Sequence, residues 1–419
     1  MRNTSDNFHF ECVDCKAEYP GNRVIYLCPS CEVLNKPGMP PKGVLKTIYQ
    51  YEYIRSLAGR ESLFHYLADR NFLPLLPIQD LKSWPFLKIG DTPLYQSDEF
   101  ECYLKDDSQN PTFSFKDRAS ALVSAWAKEN GIQTLVAAST GNAGSSLAGI
   151  CASQGQHAII VVPAAAPLAK LTQILMYGAV LIPVKGTYDD AFDLSVEISK
   201  KHGYYNRNTA YNPLTIEGKK TVSFEIFAQL NHQVPDRIFI PVGDGVIFSG
   251  VSKGFEDLMK LGIIDRMPVL VAVQSEGSSN FIKNLNGMPF KSTPSKTIAD
   301  SISVDVPRCF NMTAAYLKDY HGEVVAVSDQ EILRASVQLS RSTGIFSEPA
   351  AAAAFAGMLK YRQQGLIPAG SKNVVLLTGS GLKDLSAVQS SINIPEPLSP
   401  DLASVDEFIK KHHLIPMNA

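Results

Sequence analysis

The sequence predicts an α/β protein with parallel-sheet cores, preceded by a small cysteine-rich ribbon. Three observations predict it. Between residues 117 and 203, short apolar runs alternate with amphipathic helical stretches, the pattern of successive βαβ units. A second set of apolar runs, with helical stretches between them, follows residue 218. Near the N-terminus, Cys12, Cys15, Cys28 and Cys31 fall into two C-x2-C pairs separated by twelve residues.

Bulk properties bound the function. A chain of 419 residues exceeds one small core and implies two or three domains. At 45% hydrophobic and 19% charged residues it has ordinary globular composition. A net charge of −2 argues against broad electrostatic attraction to nucleic acid or membrane. The start, Met1 to Phe8, has no apolar signal region, and no apolar run approaches the roughly eighteen residues of a membrane span, so the cytoplasm is the expected location.

Residues 8–34 read as a zinc-ribbon-like segment. Two such knuckles on a short hairpin bring four thiolates to one tetrahedral point, which suits Zn²⁺, and a closed four-thiolate site has a structural role. Glu18 to Asn22 carries turn chemistry and Val24 to Leu27 strand chemistry. The alternative is a pair of reduced knuckles that fold without metal; a disulfide pair is disfavoured in a reducing compartment. Cys102, Cys151 and Cys309 lie in apolar contexts and read as core residues. Residues 35–43 are a Pro- and Gly-rich linker.

From residue 117 a helix runs into Lys128, followed by a strand at 134–138 and a helix at 143–153. A strand at 157–162, a helix at 167–177, a strand at 179–184 and a helix at 188–202 complete this set, assigned to a smaller, mobile α/β domain over 117–203. The larger domain draws on 44–116 and 204–400, with strands at 237–241, 269–273 and 373–377. Ser328-Asp-Gln-Glu331 is a capping box opening a helix through Leu339. Residues 401–419 are a tail with a short helix over 405–413, N-capped by Ser404. The site is expected between the two domains, where strand C-termini meet helix N-termini.

Lys116 follows Phe113-Ser-Phe115, a context that desolvates an amine and leaves it neutral and nucleophilic. In isolation, a surface lysine paired with Asp117 reads equally well. Ser139-Thr-Gly-Asn142 follows a strand and opens a small-residue helix, so its backbone N–H groups face an anion. Gly243-Asp-Gly-Val-Ile247 has the same setting. The eight histidines show no H-E-x-x-H pattern, and G-x-G-x-x-G is absent from the sequence. A metal-dependent hydrolase and a nicotinamide enzyme therefore find no support.

Five strings occur in order: Gly90-Asp-Thr-Pro-Leu94, Pro111-Thr-Phe-Ser-Phe-Lys-Asp-Arg118, Ser139-Thr-Gly-Asn142, Glu348-Pro-Ala350 and Leu377-Thr-Gly-Ser-Gly-Leu-Lys-Asp384. Together they resemble the motifs of the pyridoxal-phosphate enzymes of the tryptophan synthase β-subunit-like group (fold type II), and within it the threonine synthases, which often carry a similar Cys-rich segment. The resemblance implies the two-domain fold type II, bound pyridoxal 5'-phosphate and a small amino-acid substrate. It implies a lyase that abstracts the α-proton and eliminates or replaces a β or γ leaving group, with O-phosphohomoserine as the family's default substrate. A homodimer is expected. By the same resemblance, Lys116 carries the cofactor and then serves as base, and Asn142 bonds the ring hydroxyl. Ser139, Thr140, Gly141 and Ala143 hold the substrate carboxylate, and Gly243, Asp244, Gly245, Val246 and Ile247 hold the phosphate. Thr378 faces the ring nitrogen, where a hydroxyl suits elimination and replacement over transamination. Glu348 reads either as this family's glutamate or as a charge favouring a helix N-terminus.

The chain departs from the family at several points. Phe113 replaces glycine, Ser380 replaces histidine, and the phosphate loop differs at Asp244, Val246 and Ile247. Asp244 must turn away from a dianion. In Asn212-Pro-Leu-Thr-Ile-Glu-Gly-Lys-Lys-Thr221, Thr215 stands where the family places a phosphate-binding arginine, and Lys219 where it places glutamine. Lys219, Arg207 or Arg118 could supply the missing charge. Otherwise the substrate carries no phosphate, and a serine/threonine-type ammonia-lyase or a β-replacement synthase is the alternative. A non-catalytic homologue is the reading from another class.

Overall fold

The computed structural model describes residues 7–412 apart from 167, 288, 390, 391 and 393. An N-terminal antiparallel sheet of β1 (Phe8–Cys12), β2 (Glu18–Pro20) and β3 (Leu45–Tyr49) has the order β2-β1-β3. The strand expected at 24–27 is not formed. Strand β1 is paired on its other edge by β3, whose Leu45, Thr47 and Tyr49 alternate inward opposite Phe8, Phe10 and Cys12. Residues 24–27 dock elsewhere: Tyr26 stacks on Tyr211 at 4.6 Å, and its hydroxyl accepts from the Asn206 N–H at 2.8 Å.

Two parallel sheets follow. Strands β4 (Leu94–Ser97), β5 (Cys102–Asp106), β6 (Thr134–Ala138), β7 (His157–Pro163), β8 (Val180–Val184) and β9 (Tyr205–Asn206) come first in the chain. They are succeeded by β10 (Arg237–Pro241), β11 (Val269–Ser275), β12 (Glu323–Val327) and β13 (Asn373–Leu377). One sheet has the order β8-β7-β6-β9; the other has the order β12-β11-β10-β13-β5-β4, parallel except for β4 against β5 at its edge. The four-stranded sheet takes in β9, just past residue 203. The continuous apolar runs of β10, β11 and β13 are buried on both faces, as parallel strands covered by helices must be.

The helices end where local chemistry ends them. The helix Tyr188–His202 opens on a Thr187–Asp190 capping box and stops at Gly203, whose φ of +69° favours glycine. The Ser328 capping box is formed, and its helix continues to Thr343, where Gly344 terminates it. The helix expected at 167–177 spans Leu168–Met176; residue 167 lies outside the described residues. The last helix is Leu402–Lys411, so it begins earlier than expected. Its N-cap is Asp401, whose carboxylate accepts from the Ser404 N–H at 2.9 Å; a carboxylate three residues upstream takes the capping role from the Ser404 hydroxyl. Residue 413 lies outside the described residues. No helix among the described residues is long and apolar enough to cross a membrane.

A buried ionic network fastens the N-terminal sheet to the body. Lys46 pairs with Glu256 at 2.7 Å, and the Tyr49 hydroxyl donates to Glu217 at 2.6 Å. The Tyr51 hydroxyl donates to Asp257 at 2.6 Å. Asp257 also takes Lys220 at 2.7 Å and Lys253. Against the upward push of burial, these two ammonium groups hold the Asp257 carboxyl down at about 2. The native state therefore binds this proton less readily than the unfolded chain. The contribution is full above the ordinary carboxylate value near 4 and is lost as pH falls from about 4 towards about 2. Asp257→Ala should cost about 3–5 kcal/mol in urea unfolding at neutral pH, because two buried cations lose their shared partner. It should also remove the corresponding part of the acid-unfolding limb.

Candidate active site

The helix Lys116–Glu129 begins at the lysine itself. The loop before it is stitched to the loop after β13. The Phe115 N–H donates to the Thr378 carbonyl at 2.9 Å, the Ser380 N–H donates to the Phe113 carbonyl at 3.1 Å, and Ser114 and Gly379 form a β-bridge. Asp117 accepts from the Thr112 N–H at 2.7 Å and from the Thr112 hydroxyl at 2.5 Å. The reading of Lys116 as a surface lysine paired with Asp117 therefore falls. Burial pushes the Lys116 amine below the usual lysine range, opposed by Glu348 and Asp244 and reinforced by Arg207. A half-buried, desolvated amine at a helix start is a nucleophile in waiting.

Phe113 takes φ +66° and is 48% exposed. A left-handed conformation costs a side chain about 1–2 kcal/mol, which explains a glycine in the related motif. Here the aromatic keeps that backbone, held by the bond to Ser380 and by donation of its own N–H to Asn110 at 2.8 Å.

Ser139, Thr140 and Gly141 form the turn after β6, and the helix Asn142–Gln154 starts at Asn142. Gly144 is indispensable there, since a Cβ would lie 2.2 Å from the Ser139 carbonyl oxygen. At Gly141 a Cβ would meet nothing within 4 Å. The Gly144 and Ser145 N–H groups donate to the Gly141 carbonyl at 3.1 and 3.2 Å, so the Asn142 and Ala143 N–H groups at the very start of the helix are the ones that suit an anion.

The Asn142 amide donates to both oxygens of Glu348, at 2.9 and 3.0 Å, and to the Ser301 hydroxyl at 3.3 Å. Glu348 is buried, and burial raises its carboxyl above the usual range. Gly379 is required beside it, because a Cβ would come within 2.6 Å of the Glu348 carboxylate. Both readings of Glu348 left open by the sequence remain compatible with its place: it is the N-cap residue of the helix Pro349–Gln363, and its carboxylate meets the Asn142 amide.

Lys383, not singled out from the sequence, donates to the Thr112 carbonyl at 3.2 Å, the Ser145 hydroxyl at 2.8 Å and the Gln173 amide oxygen at 2.5 Å. Burial lowers it to about 8, opposed by Glu348 and Asp117. Its signal was present in the Leu377–Asp384 string.

Gly243, Asp244 and Gly245 link β10 to the helix Val246–Lys260. Gly245 has φ +89°, and a Cβ there would lie 2.2 Å from the Thr313 hydroxyl. The Asp244 carboxylate turns to the Arg308 N–H at 3.0 Å. Val246 and Ile247 are buried and offer backbone alone. Thr378 directly follows β13 and is buried, and the Ser380 hydroxyl accepts from the Leu382 N–H at 3.3 Å.

The three cations weighed as charge donors differ. Arg118 is consumed by Asp107 and Glu225, with contacts from 2.5 to 2.9 Å, so it cannot compensate for Thr215. The Thr215 hydroxyl folds back onto the Asn212 carbonyl at 2.7 Å. Arg207 is buried, and its hydrogen-bond partners among the described residues are neutral: Ser120 at 3.1 Å, Thr209 at 3.3 Å and the Lys116 carbonyl at 3.5 Å. Burial lowers it to about 10. Lys219 is 1% exposed, and its Nζ has no hydrogen-bond partner among the described residues. A desolvated lysine, two glycines without room for a side chain and a buried lysine amine without a hydrogen-bond partner among the described residues fit a phosphorylated aldehyde cofactor.

The metal candidates lie apart, in the N-terminal segment. The Cys12, Cys15, Cys28 and Cys31 sulfurs all fall within 4.8 Å of one another.

Comparison with known proteins agrees with this geometry. Residues 86–379 match the family described as pyridoxal-phosphate dependent enzyme. The chain is similar to the threonine synthase of Methanocaldococcus jannaschii, 34% identical over 96% of this chain and 99% of that one. It is also similar to that of a Synechocystis species, 37% identical over 80% of this chain and 88% of that one. Among solved structures, the processed form of threonine deaminase isoform 2 from Solanum lycopersicum shares the fold, with a TM-score of 0.64 at 22% identity, covering 80% of this chain and 93% of that one. The desolvated lysine, the glycine-lined loop and these likenesses converge: the chain belongs to the pyridoxal-phosphate dependent enzyme family and is a lyase within it.

Proposed function

We propose that the chain is a lyase of the threonine synthase type, forming threonine from O-phosphohomoserine. The observation that carries this reading is the desolvated Lys116 amine beside Asn142 and Glu348, in a chain 34% identical to a threonine synthase over nearly its whole length. When bound, pyridoxal phosphate supplies the electron sink that stabilises charge at the substrate α-carbon. Lys116 would hold the cofactor and, once released, would take the α-proton on its Nζ, a role that the lowered proton affinity imposed by burial suits. Asn142, oriented by Glu348, bonds the ring hydroxyl. Ser139, Thr140, Gly141 and Ala143 receive the substrate carboxylate at the helix N-terminus. The backbone of Gly243 to Ile247 would hold the phosphate, and the Thr378 hydroxyl would serve the ring nitrogen. Strands β6 to β9 with their helices form the smaller domain, which closes on the larger to exclude water.

A second reading, an ammonia-lyase acting on serine or threonine, is favoured by Thr215. Its buried side chain, bonded back to the Asn212 carbonyl, leaves no arginine clamp for a substrate phosphate. Offering O-phosphohomoserine, threonine, serine, O-phosphoserine and diaminopropionate in turn, and analysing products, separates the two. Threonine from O-phosphohomoserine supports the first reading, and a keto acid from threonine or serine supports the second. Lys116→Ala should abolish turnover in either case and erase the visible absorbance of bound cofactor. A variant that keeps both would remove Lys116 from its role.

We also propose that the four cysteines hold a structural Zn²⁺. Cys12 and Cys31 sulfurs lie 3.8 Å apart and Cys15 and Cys28 sulfurs 3.6 Å apart. Four sulfurs about 2.3 Å from one tetrahedral centre are separated by roughly that much. Cys12→Ser should release about one zinc per chain and lower the melting temperature while altering turnover little, since metal binding is folding free energy. Metal content unchanged in that variant would rule the site out.

A further inference from the structure

Lys219 and Lys220 are neighbours in sequence with opposite surroundings. Lys220 pairs with Glu217 at 2.6 Å and Asp257 at 2.7 Å. Lys219 is as deeply buried, yet its Nζ has no hydrogen-bond partner among the described residues. Burying a polar amine with no hydrogen-bond partner is costly, and an apolar side chain of similar volume would be more stable there. Such a group is retained where a ligand completes it.

The surroundings identify the ligand's chemistry. Lys219 packs against the helix Val246–Lys260 at Gly250, where a Cβ would lie 2.6 Å from the Lys219 Cβ. That helix begins directly after the Gly243–Gly245 loop, so its positive N-terminus and the lysine serve one region. The charged groups acting on Lys219 are Arg207, Lys116 and Asp244, with the Cys309 thiol beside them. Arg207 has no ion pair of its own among the described residues. An unpaired guanidinium, a buried amine able to take up a proton, a helix N-terminus and one carboxylate turned to backbone suit a dianion.

We propose that Lys219 is a direct ligand of a phosphate-monoester dianion, with Arg207 as the second charge of the same subsite. This rests on the reading of the chain as a pyridoxal-phosphate enzyme and deepens it. Two sources share this chemistry: the 5'-phosphate of the cofactor and the phosphate of a phosphorylated amino-acid substrate. Position beside the Asp244 loop favours the cofactor's. A lysine there supplies what a loop reading Gly-Asp-Gly-Val-Ile lacks, side chains able to donate to the phosphate. Burial and the neighbouring cations push the Lys219 amine well below the lysine range, so a dianion arriving there draws a proton onto it.

The test uses the full chain stripped of cofactor, as wild type, Lys219→Met and Lys219→Arg. Each is titrated with pyridoxal phosphate and with pyridoxal, which lacks the phosphate. In the cofactor case, Lys219→Met binds pyridoxal phosphate about 10- to 100-fold more weakly, from the loss of one charge-assisted bond. Pyridoxal binding is unchanged, and Lys219→Arg restores most of the affinity. In the substrate case, pyridoxal phosphate binding is unaffected, and the holoenzyme of Lys219→Met loses about the same factor for inorganic phosphate. In both cases the cofactor-free Lys219→Met melts no lower than wild type, since a buried amine without a hydrogen-bond partner has been replaced by an apolar side chain of similar length. Equal losses for pyridoxal phosphate and pyridoxal, a lower melting temperature of the cofactor-free variant, or no change in either phosphate titration would overturn the proposal. If the wild type takes up no pyridoxal phosphate, the cofactor reading fails instead, and inorganic phosphate binding to the cofactor-free pair still decides the role of Lys219.

Discussion

The Arg118 guanidinium, two residues after Lys116, is clamped between two carboxylates, and the placing of the candidate site depends on that clamp. Its Nε and Nη2 take both oxygens of Asp107 at 2.6 and 2.9 Å, while Nη1 and Nη2 take both oxygens of Glu225 at 2.5 and 2.7 Å. Lys105 adds a third cation-to-carboxylate contact, to Glu225 at 2.7 Å. The pairs join the turn after β5, the first turn of the lysine's helix and the helix Thr221–Gln229. Doubly bidentate geometry of this kind fixes direction as well as distance. It also explains Gly90-Asp-Thr-Pro-Leu94, which forms the wall of the clamp. A Cβ on Gly90 would lie 2.6 Å from the Glu225 carboxylate, and the Thr92 hydroxyl donates to Asp107 at 2.7 Å.

With that end of the helix fixed, the opposite constraint comes from β13. The Phe115–Thr378 and Phe113–Ser380 backbone bonds hold the lysine loop against the strand that carries Thr378. Phe113 remains in a conformation that costs a non-glycine residue energy because both its N–H and its carbonyl are engaged. An over-determined loop tolerates local strain that a free one would relax.

What the sequence made legible follows from where the information sits. Parallel strands buried on both faces leave unbroken apolar runs, so β6, β7, β10, β11 and β13 were readable from residue order. Edge strands do not: β12 is only partly buried along Glu323 to Ala326, and β4 shows no inward alternation. The N-terminal sheet misled because β3 lies past the linker, and pairing across such a gap has no local signature. Among the site residues, Lys116 and the Ser139–Asn142 turn were visible as types in context. The partner of Asn142 was not, because Glu348 lies 206 positions away in sequence. Arg118 was misjudged for a similar reason: a charge reads as free until its distant carboxylates are known.

The cleft also carries a polarity that no single motif expresses. Lys116 feels both Glu348 and the pair Arg207 and Asp244. Lys219 feels Arg207 and Asp244, with Glu348 absent from the groups that act on it most. Lys383 feels Glu348 and Asp117, and neither Arg207 nor Lys219 figures among its influences. Lys116 thus stands between surroundings that hold Arg207 and Lys219 and surroundings organised around the buried Glu348 carboxylate. Fields in a water-poor site act with a low effective dielectric, so this asymmetry is worth more than the same charges at a surface. A ligand with a dianionic group at one end and a hydrogen-bonding ring at the other has one favoured orientation in such a field. Its reversal would set the dianion against Glu348 and leave Lys219 buried without a counter-charge.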